Sequence, residues 1–145
     1  MVLTDFKDFP HKGRILGIDW GSKRMGFAIS SPDLDFVFPR KVEQNINGKE
    51  QIKKIIESEN IVGIVLGLPL HADGSDSDTT RLVREFAESL EKEISLPIIF
   101  IEENLTSLEA SERIKSKKQH IDLDSESAVV ILENAIGIIK RLKDV

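Results

Sequence analysis

The six residues Ile61 to Leu66 (IVGIVL) carry no polar side chain, and Gly67 and Pro69 stop the run before it can extend into a helix. So short an apolar stretch, rich in β-branched residues, reads as a strand buried on both faces. A strand of that kind needs packed layers above and below it. Upstream, Ile52, Ile55 and Ile56 recur at helical spacing until about Asn60, behind an Asn47-x-x-Glu50 pattern that resembles an N-terminal capping box. Downstream, Leu82, Val83, Phe86, Leu90 and Ile94 mark one face of a second helix, and Pro97 to Ile101 form another short buried strand. Strand and helix alternate here, and parallel strands joined by helical crossovers are expected.

The first third of the chain has a different rhythm. Arg14 to Asp19 and Met25 to Ser31 read as two strands joined by a polar turn at Gly21-Ser22-Lys23. A third extended piece, Phe36 to Val42, completes an antiparallel meander, and Pro39 confines it to an edge or an irregular position. At the other end, Thr106 and Glu109 form a T-x-x-E signal opening a helix to about Lys117. Ser125 to Leu142 is a further helix, apolar on almost every side, which calls for deep packing. The order is β-β-β-α-β-α-β-α-α, an α/β mixed sheet with helices on both faces. Residues 1–13 read as a short polar lead-in and residues 14–145 as one domain.

A chain of 145 residues has the size of one ordinary domain. It contains no cysteine, which excludes disulfides, thiolate catalysis and cysteine-ligated zinc, and suits a reducing cytoplasm. The apolar run Ile61 to Leu70 is about half what a membrane-spanning helix needs, so no membrane partner is expected. The net charge of −5 argues against a surface coated for nucleic acid, so any such site is local. Candidate cations are Lys23 with Arg24, Arg40 with Lys41, Arg81 with Arg84, and the run Arg113, Lys115, Lys117 and Lys118. Each is also compatible with a solvated face.

Three acidic positions share one kind of place. Asp19 ends a buried strand just before Gly21, where α/β sheets commonly offer a crevice. Glu102 and Glu103 end the last strand, and because side chains alternate, at most one of the two enters a site there. Asp124 precedes the last helix, where it could equally serve as an N-cap. Three clustered carboxylates repel one another unless a cation joins them, and oxygen ligands favour Mg²⁺ or Mn²⁺. The three histidines, His11, His71 and His120, lie in polar loops and are not needed. The loop Gly67 to Arg81 (GLPLHADGSDSDTTR) could bring backbone N–H groups and hydroxyls to phosphates, but lacks the Walker-A lysine pattern.

Four collinear stretches carry a resemblance: ILGIDWGSKRMGFAIS at 15–30, IVLGLPLHADGS at 64–75, EENLTSLEA at 102–110 and DSESAVVILENAI at 124–136. Together they resemble the RuvX/YqgF family of pre-16S rRNA nucleases and Holliday-junction resolvases, and cover nearly the whole chain. The resemblance implies an RNase H-like nuclease fold whose acidic residues are Asp19, Glu103 and Asp124, holding Mg²⁺ or Mn²⁺. Lys23, Arg24, His71, Ser75, Arg81 and Thr106 would contact nucleic acid. The chain departs from the family pattern at Asn104, where an arginine is usual, at Ser31, where an aspartate is usual and Asp33 is the candidate to compensate, and at Ser127, where alanine is usual.

The reading is therefore a metal-dependent nuclease for structured nucleic acid, most directly the 5′ end of pre-16S rRNA. A Holliday-junction resolvase is the alternative, with a non-catalytic nucleic-acid-binding module behind it. An ATP-binding protein of the actin and sugar-kinase class shares the Asp-x-Gly hairpin, but such proteins enclose nucleotide between two domains. Symmetrical cutting of a junction would favour a homodimer, although no exposed hydrophobic stripe identifies its interface.

Overall fold

A computed structural model describes residues 1–103 and 123–143. Its elements are β1 (Val2–Leu3), β2 (Arg14–Asp19), β3 (Arg24–Ser30), β4 (Val37–Gln44), α1 (Gly48–Glu59), β5 (Ile61–Pro69), α2 (Asp78–Glu91), β6 (Ile98–Glu103) and a C-terminal helix (Leu123–Lys143). The expected helix from Thr106 to Lys117 lies outside the described residues. Single 3-10 turns occupy Phe6–Asp8 and Asn45–Asn47. No described helix is long and apolar enough to cross a membrane.

The six strands form one sheet in the order β1-β6-β5-β2-β3-β4. The pairs β1·β6, β6·β5 and β5·β2 are parallel, whereas β2·β3 and β3·β4 are antiparallel. The mixed α/β sheet expected from the residue pattern is thus the one found. Pro39 sits on β4, an edge strand, and the β3·β4 register shifts between Met25 and Phe27. A proline that cannot donate to a ladder is tolerated at such a place.

Strand parity sends alternate side chains to two cores. Leu16, Ile18, Ile64, Leu66 and Ile98 pack under α1 and α2 with Ile52, Ile55, Val83 and Leu90. Ile15, Val65, Ile99 and Ile101 pack under the C-terminal helix with Ala128, Ile131, Leu132 and Ala135. Gly17 makes that second approach close, since a Cβ there would stand 2.9 Å from the Leu132 Cβ and 3.1 Å from the Ala128 carbonyl oxygen. The C-terminal helix therefore packs on one sheet face, and Glu133, Asn134, Lys140 and Arg141 on it stay exposed.

Two local expectations are corrected. The first thirteen residues do more than lead in: Val2 and Leu3 pair with Ile98 and Ile99, and Phe9 is buried against Gly63. A two-residue strand has too little sequence to show a period, so tertiary pairing decides it. Asn47 does not form the expected capping box. Its backbone (φ −101°, ψ 2°) is not the extended conformation that aims a cap at the first turn, and its side chain makes no cap hydrogen bond. The capping box is instead at α2, where Ser77 Oγ accepts from the Thr80 N–H and Thr80 Oγ1 accepts from the Ser77 N–H.

Candidate active site

Asp19 is the last residue of β2 and pairs with Gly26 of β3. By parity it shares a sheet face with Ile15 and Gly17, the face that meets the C-terminal helix. It is half-buried, and the chain turns sharply after it. A Cβ on Gly21 would lie 2.5 Å from the Arg24 carbonyl oxygen, so the turn closes this tightly because residue 21 has no side chain. Lys23 and Arg24, exposed at the tip, follow within five residues of the carboxylate.

Glu103 ends β6 opposite Pro69 of β5, two strands from Asp19. It shares parity with Ile99 and Ile101 and thus lies on the same face as Asp19. Glu102 has the opposite parity and is exposed, so alternation leaves Glu103 as the inward glutamate. The space for it comes from β5. A Cβ on Gly67 would stand 2.8 Å from the Glu103 Cδ, 2.9 Å from its Oε2 and 2.5 Å from the Ile131 Cδ1. Gly67 thus leaves the pocket in which the carboxyl lies between sheet and helix. Desolvation there pushes the Glu103 carboxyl up to about 7. Among the described residues Glu103 has no ion pair to oppose that rise.

Asp124 is the second residue of the C-terminal helix, one turn before Ala128, which rests on Gly17. Ala128, Ile131, Leu132 and Ala135 form the buried stripe of the helix at helical spacing. The other end of the helix is fixed by Lys140, whose Nζ donates to Asp35 Oδ1 at 3.2 Å, beyond the far end of β3. The helix start and the C-terminal ends of β2, β5 and β6 therefore lie at the same end of the sheet. The Asp124 side chain lies outside the described residues, as does Thr106. Among the described residues no three carboxylate or imidazole groups form a ligand cluster.

His71 and Ser75 are exposed on the loop after β5, which is attached to β6 through the Leu70 N–H and the Glu103 carbonyl. Asp73 organises the loop by accepting from the Ser75 N–H and hydroxyl, which holds its carboxyl below the usual range. Thr80 is fully buried and its hydroxyl donates to the Pro69 carbonyl, tying the start of α2 to the end of β5. Arg81 is exposed on α2 and pairs with Asp78 at 2.6 Å. Asp33 is a turn residue: it accepts from the Ser31 hydroxyl at 2.6 Å and the Asp35 N–H at 3.1 Å, in the β3–β4 turn at the end of the sheet away from Asp19. It shares this turn with Ser31, where the resemblance places an aspartate, and its carboxylate is bonded to the Ser31 hydroxyl. One contributor had no sequence signal. Asn45 donates its side-chain N–H to the Gly21 carbonyl at 2.6 Å and its backbone N–H to the Lys23 carbonyl at 2.8 Å, fastening the turn after Asp19.

Comparison with known proteins gives this geometry a context. Residues 13–137 match the family model described as RuvX, Holliday junction resolvase. The chain belongs to this family. Among curated RuvX relatives, a Maridesulfovibrio salexigens protein named "Putative pre-16S rRNA nuclease" is 44% identical over 128 residues, 83% of this chain and 95% of the relative. A Rickettsia africae protein of the same name is 34% identical, covering 98% of this chain and 100% of the relative. Among solved structures, T. thermophilus RuvC in complex with a Holliday junction substrate superposes with a TM-score of 0.56 at 9% identity, covering 90% of this chain and 96% of that one. The yeast mitochondrial Holliday junction resolvase gives 0.55 at 12% identity, covering 94% and 82%. At such identities these two establish the shared RNase H-like fold.

Proposed function

We propose that this RuvX-family chain is a divalent-metal-dependent nuclease that hydrolyses phosphodiester bonds in structured nucleic acid, with the 5′ end of pre-16S rRNA as its substrate. The observation that carries the reading is the placement of Asp19 and Glu103 at the ends of β2 and β6, on one sheet face, with the start of the C-terminal helix at the same end. The names of the curated relatives favour RNA, and the same chemistry on a four-way DNA junction is the alternative.

The donor set suits a hard cation. It is all oxygen, the chain has no thiol, and the Glu103 carboxyl is held in a desolvated pocket without an ammonium or guanidinium partner among the described residues. Asp19, Glu103 and Asp124 would hold Mg²⁺ or Mn²⁺. When bound, the metal supplies activation of a water and stabilisation of charge at the phosphodiester. The chain's own residues position the substrate: Lys23, Arg24 and Arg81 meet phosphates, and the backbone at Gly21 allows close approach. His71, Ser75 and Thr106 extend the nucleic-acid contacts along the same end of the sheet. A reducing cytoplasm is the setting this activity implies.

The test is incubation of the purified protein with Mg²⁺ or Mn²⁺ and labelled precursor rRNA 5′ ends, single strands, duplexes and four-way junctions. Metal-dependent cleavage of precursor ends is expected, and Asp19→Asn or Asp124→Asn should lower it by roughly 100-fold or more, because the charge that retains the cation is lost. Full metal-dependent activity of Asp19→Asn refutes the site. Binding without cleavage under all metals assigns the chain to a non-catalytic role.

A further inference from the structure

Ile46 is 87% exposed, the most exposed of the large apolar side chains described. A lone surface isoleucine ordinarily needs no explanation. Here its setting supplies one. Ile46 is the middle residue of the 3-10 turn Asn45–Asn47, between the edge strand β4 and α1. The turn is held on both sides: Asn45 is bonded to the Gly21 and Lys23 carbonyls, and Gly48 packs so closely on Met25 that a Cβ would stand 2.5 Å from its Sδ and Cε. The isoleucine is thus presented on a fastened ledge.

The ledge borders an open groove of about 440 Å³ lined by Ser22, Lys23, Arg24, Gln44, Asn45 and Ile46. That volume falls in the range of ligand clefts, roughly 300–1,000 Å³. Its lining holds two cations, two amides, a hydroxyl and one apolar side chain, with no carboxylate. The groove on the other side of the turn has the opposite character, with Glu43 and Glu50 against Lys54. The charge of the lining thus favours phosphate on the Ile46 side over the other. Gly21, whose carbonyl Asn45 holds, lies two residues from Asp19 on the same hairpin, so the groove adjoins the turn that follows the candidate active site.

We propose that Ile46 is a wedge that enters the base stack of a nucleic-acid strand where a duplex opens into a single strand or a branch, while Lys23 and Arg24 hold the adjoining phosphates. This rests on the nuclease reading and narrows it to substrates with a break in stacking. An apolar side chain inserted between bases is a general means of opening a step, and opening costs least where the stack already ends. The Gln44 and Asn45 amides offer hydrogen bonds to the exposed base edge. An acidic protein segment would match the cations alone, whereas a nucleic-acid strand also uses the amides, which suit base edges.

The experiment uses the full-length protein in Mg²⁺-free buffer with two RNAs: a hairpin with a 5′ single-stranded extension, carrying 2-aminopurine at the last paired position, and the same duplex made blunt. The parent should bind the extended hairpin with a rise in 2-aminopurine fluorescence. Ile46→Ala should weaken that binding about tenfold and abolish the rise, while changing blunt-duplex affinity less than twofold. Ile46→Phe should keep the rise, and Lys23→Gln should lower the salt slope by about one without abolishing it. Because Ile46 is solvated, Ile46→Ala should melt with its parent. The wedge is refuted if Ile46→Ala retains the fluorescence rise, or loses the same factor on both RNAs. If the parent binds neither RNA nor a four-way DNA junction, the nuclease reading fails and the wedge with it.

Discussion

Glu103 offers a stability measurement that bears on the candidate site without any substrate. Its carboxyl is pushed up to about 7 by burial between Gly67 and Ile131, against an ordinary value of 4.5. In the unfolded chain the group is fully hydrated and the ordinary value applies. Between those two pH values the folded protein keeps a proton that the unfolded chain has released, so metal-free stability falls as pH rises through the window from about 4.5 to about 7. Above it, folding must bury the charge. The interval corresponds to a ceiling of roughly 3 kcal/mol. Glu103→Gln keeps the shape and cannot ionise, so it removes the penalty.

In EDTA at pH 8, Glu103→Gln should therefore be more stable than its parent by up to roughly 3 kcal/mol, or on the order of 5–10 °C in Tm for a chain of this size. At pH 4 the difference should vanish, because both side chains are then neutral. Adding Mn²⁺ at pH 8 should raise the parent's Tm by mass action and leave the glutamine variant nearly unmoved, reversing the order of the two. Urea titrations with and without metal at both pH values give all four comparisons. A glutamine variant no more stable than its parent at pH 8, or offset equally at both pH values, would refute the account of a desolvated carboxylate awaiting a cation.

Gly67→Ala should cost about 1–3 kcal/mol from crowding of Ile131 and the Glu103 carboxyl, and should weaken Mn²⁺-induced stabilisation, as thermal shift with and without metal would show. A variant that binds Mn²⁺ like its parent would place the metal elsewhere. Ser77→Ala should lower stability by about 1 kcal/mol in urea unfolding, through loss of the cap on α2, and unchanged stability would mean that water replaces the cap without cost. Arg81→Glu should weaken nucleic-acid binding and flatten its salt dependence, because fewer counterions are released. An unchanged slope would assign Arg81 wholly to its pair with Asp78.

Much of this architecture is visible in the residues because strands and helices announce themselves by period. The run at β5, the helical faces of α1 and α2, and the hairpin before them were all legible, and Pro39 marked its strand as peripheral. Alternation along β6 required that Glu102 and Glu103 diverge, although it could not say which turned inward; that depends on the register of β6 on β5 and on which side the C-terminal helix packs. Short or long-range features were less accessible. Val2 and Leu3 become a strand because Ile98 and Ile99 offer an edge, and nothing in a two-residue segment foretells a partner 96 residues away. The Asn47-x-x-Glu50 pattern has the spacing of a capping box but not the backbone, since the preceding 3-10 turn sets the dihedrals at residue 47.

Glycine positions connect the legible part to the rest. Gly17, Gly21 and Gly67 each look in sequence like an interruption of a strand or the start of a turn. In the fold each is a place where the missing Cβ admits something specific: the C-terminal helix at Gly17, the Arg24 carbonyl at Gly21, and the Glu103 carboxyl at Gly67. The first lowers the helix onto β2 one turn after Asp124, the second turns the chain sharply after Asp19, and the third opens a pocket for Glu103. Carboxylates drawn from three distant segments can thus be directed to one end of the sheet without any one segment being unusual. The consequence is an asymmetry in what substitution should do. Replacing an acid removes charge and leaves the fold, whereas adding a single methyl at Gly67 preserves every charge and moves one of them. Metal affinity measured in those two kinds of variant distinguishes a site defined by its ligands from one defined equally by the space made for them.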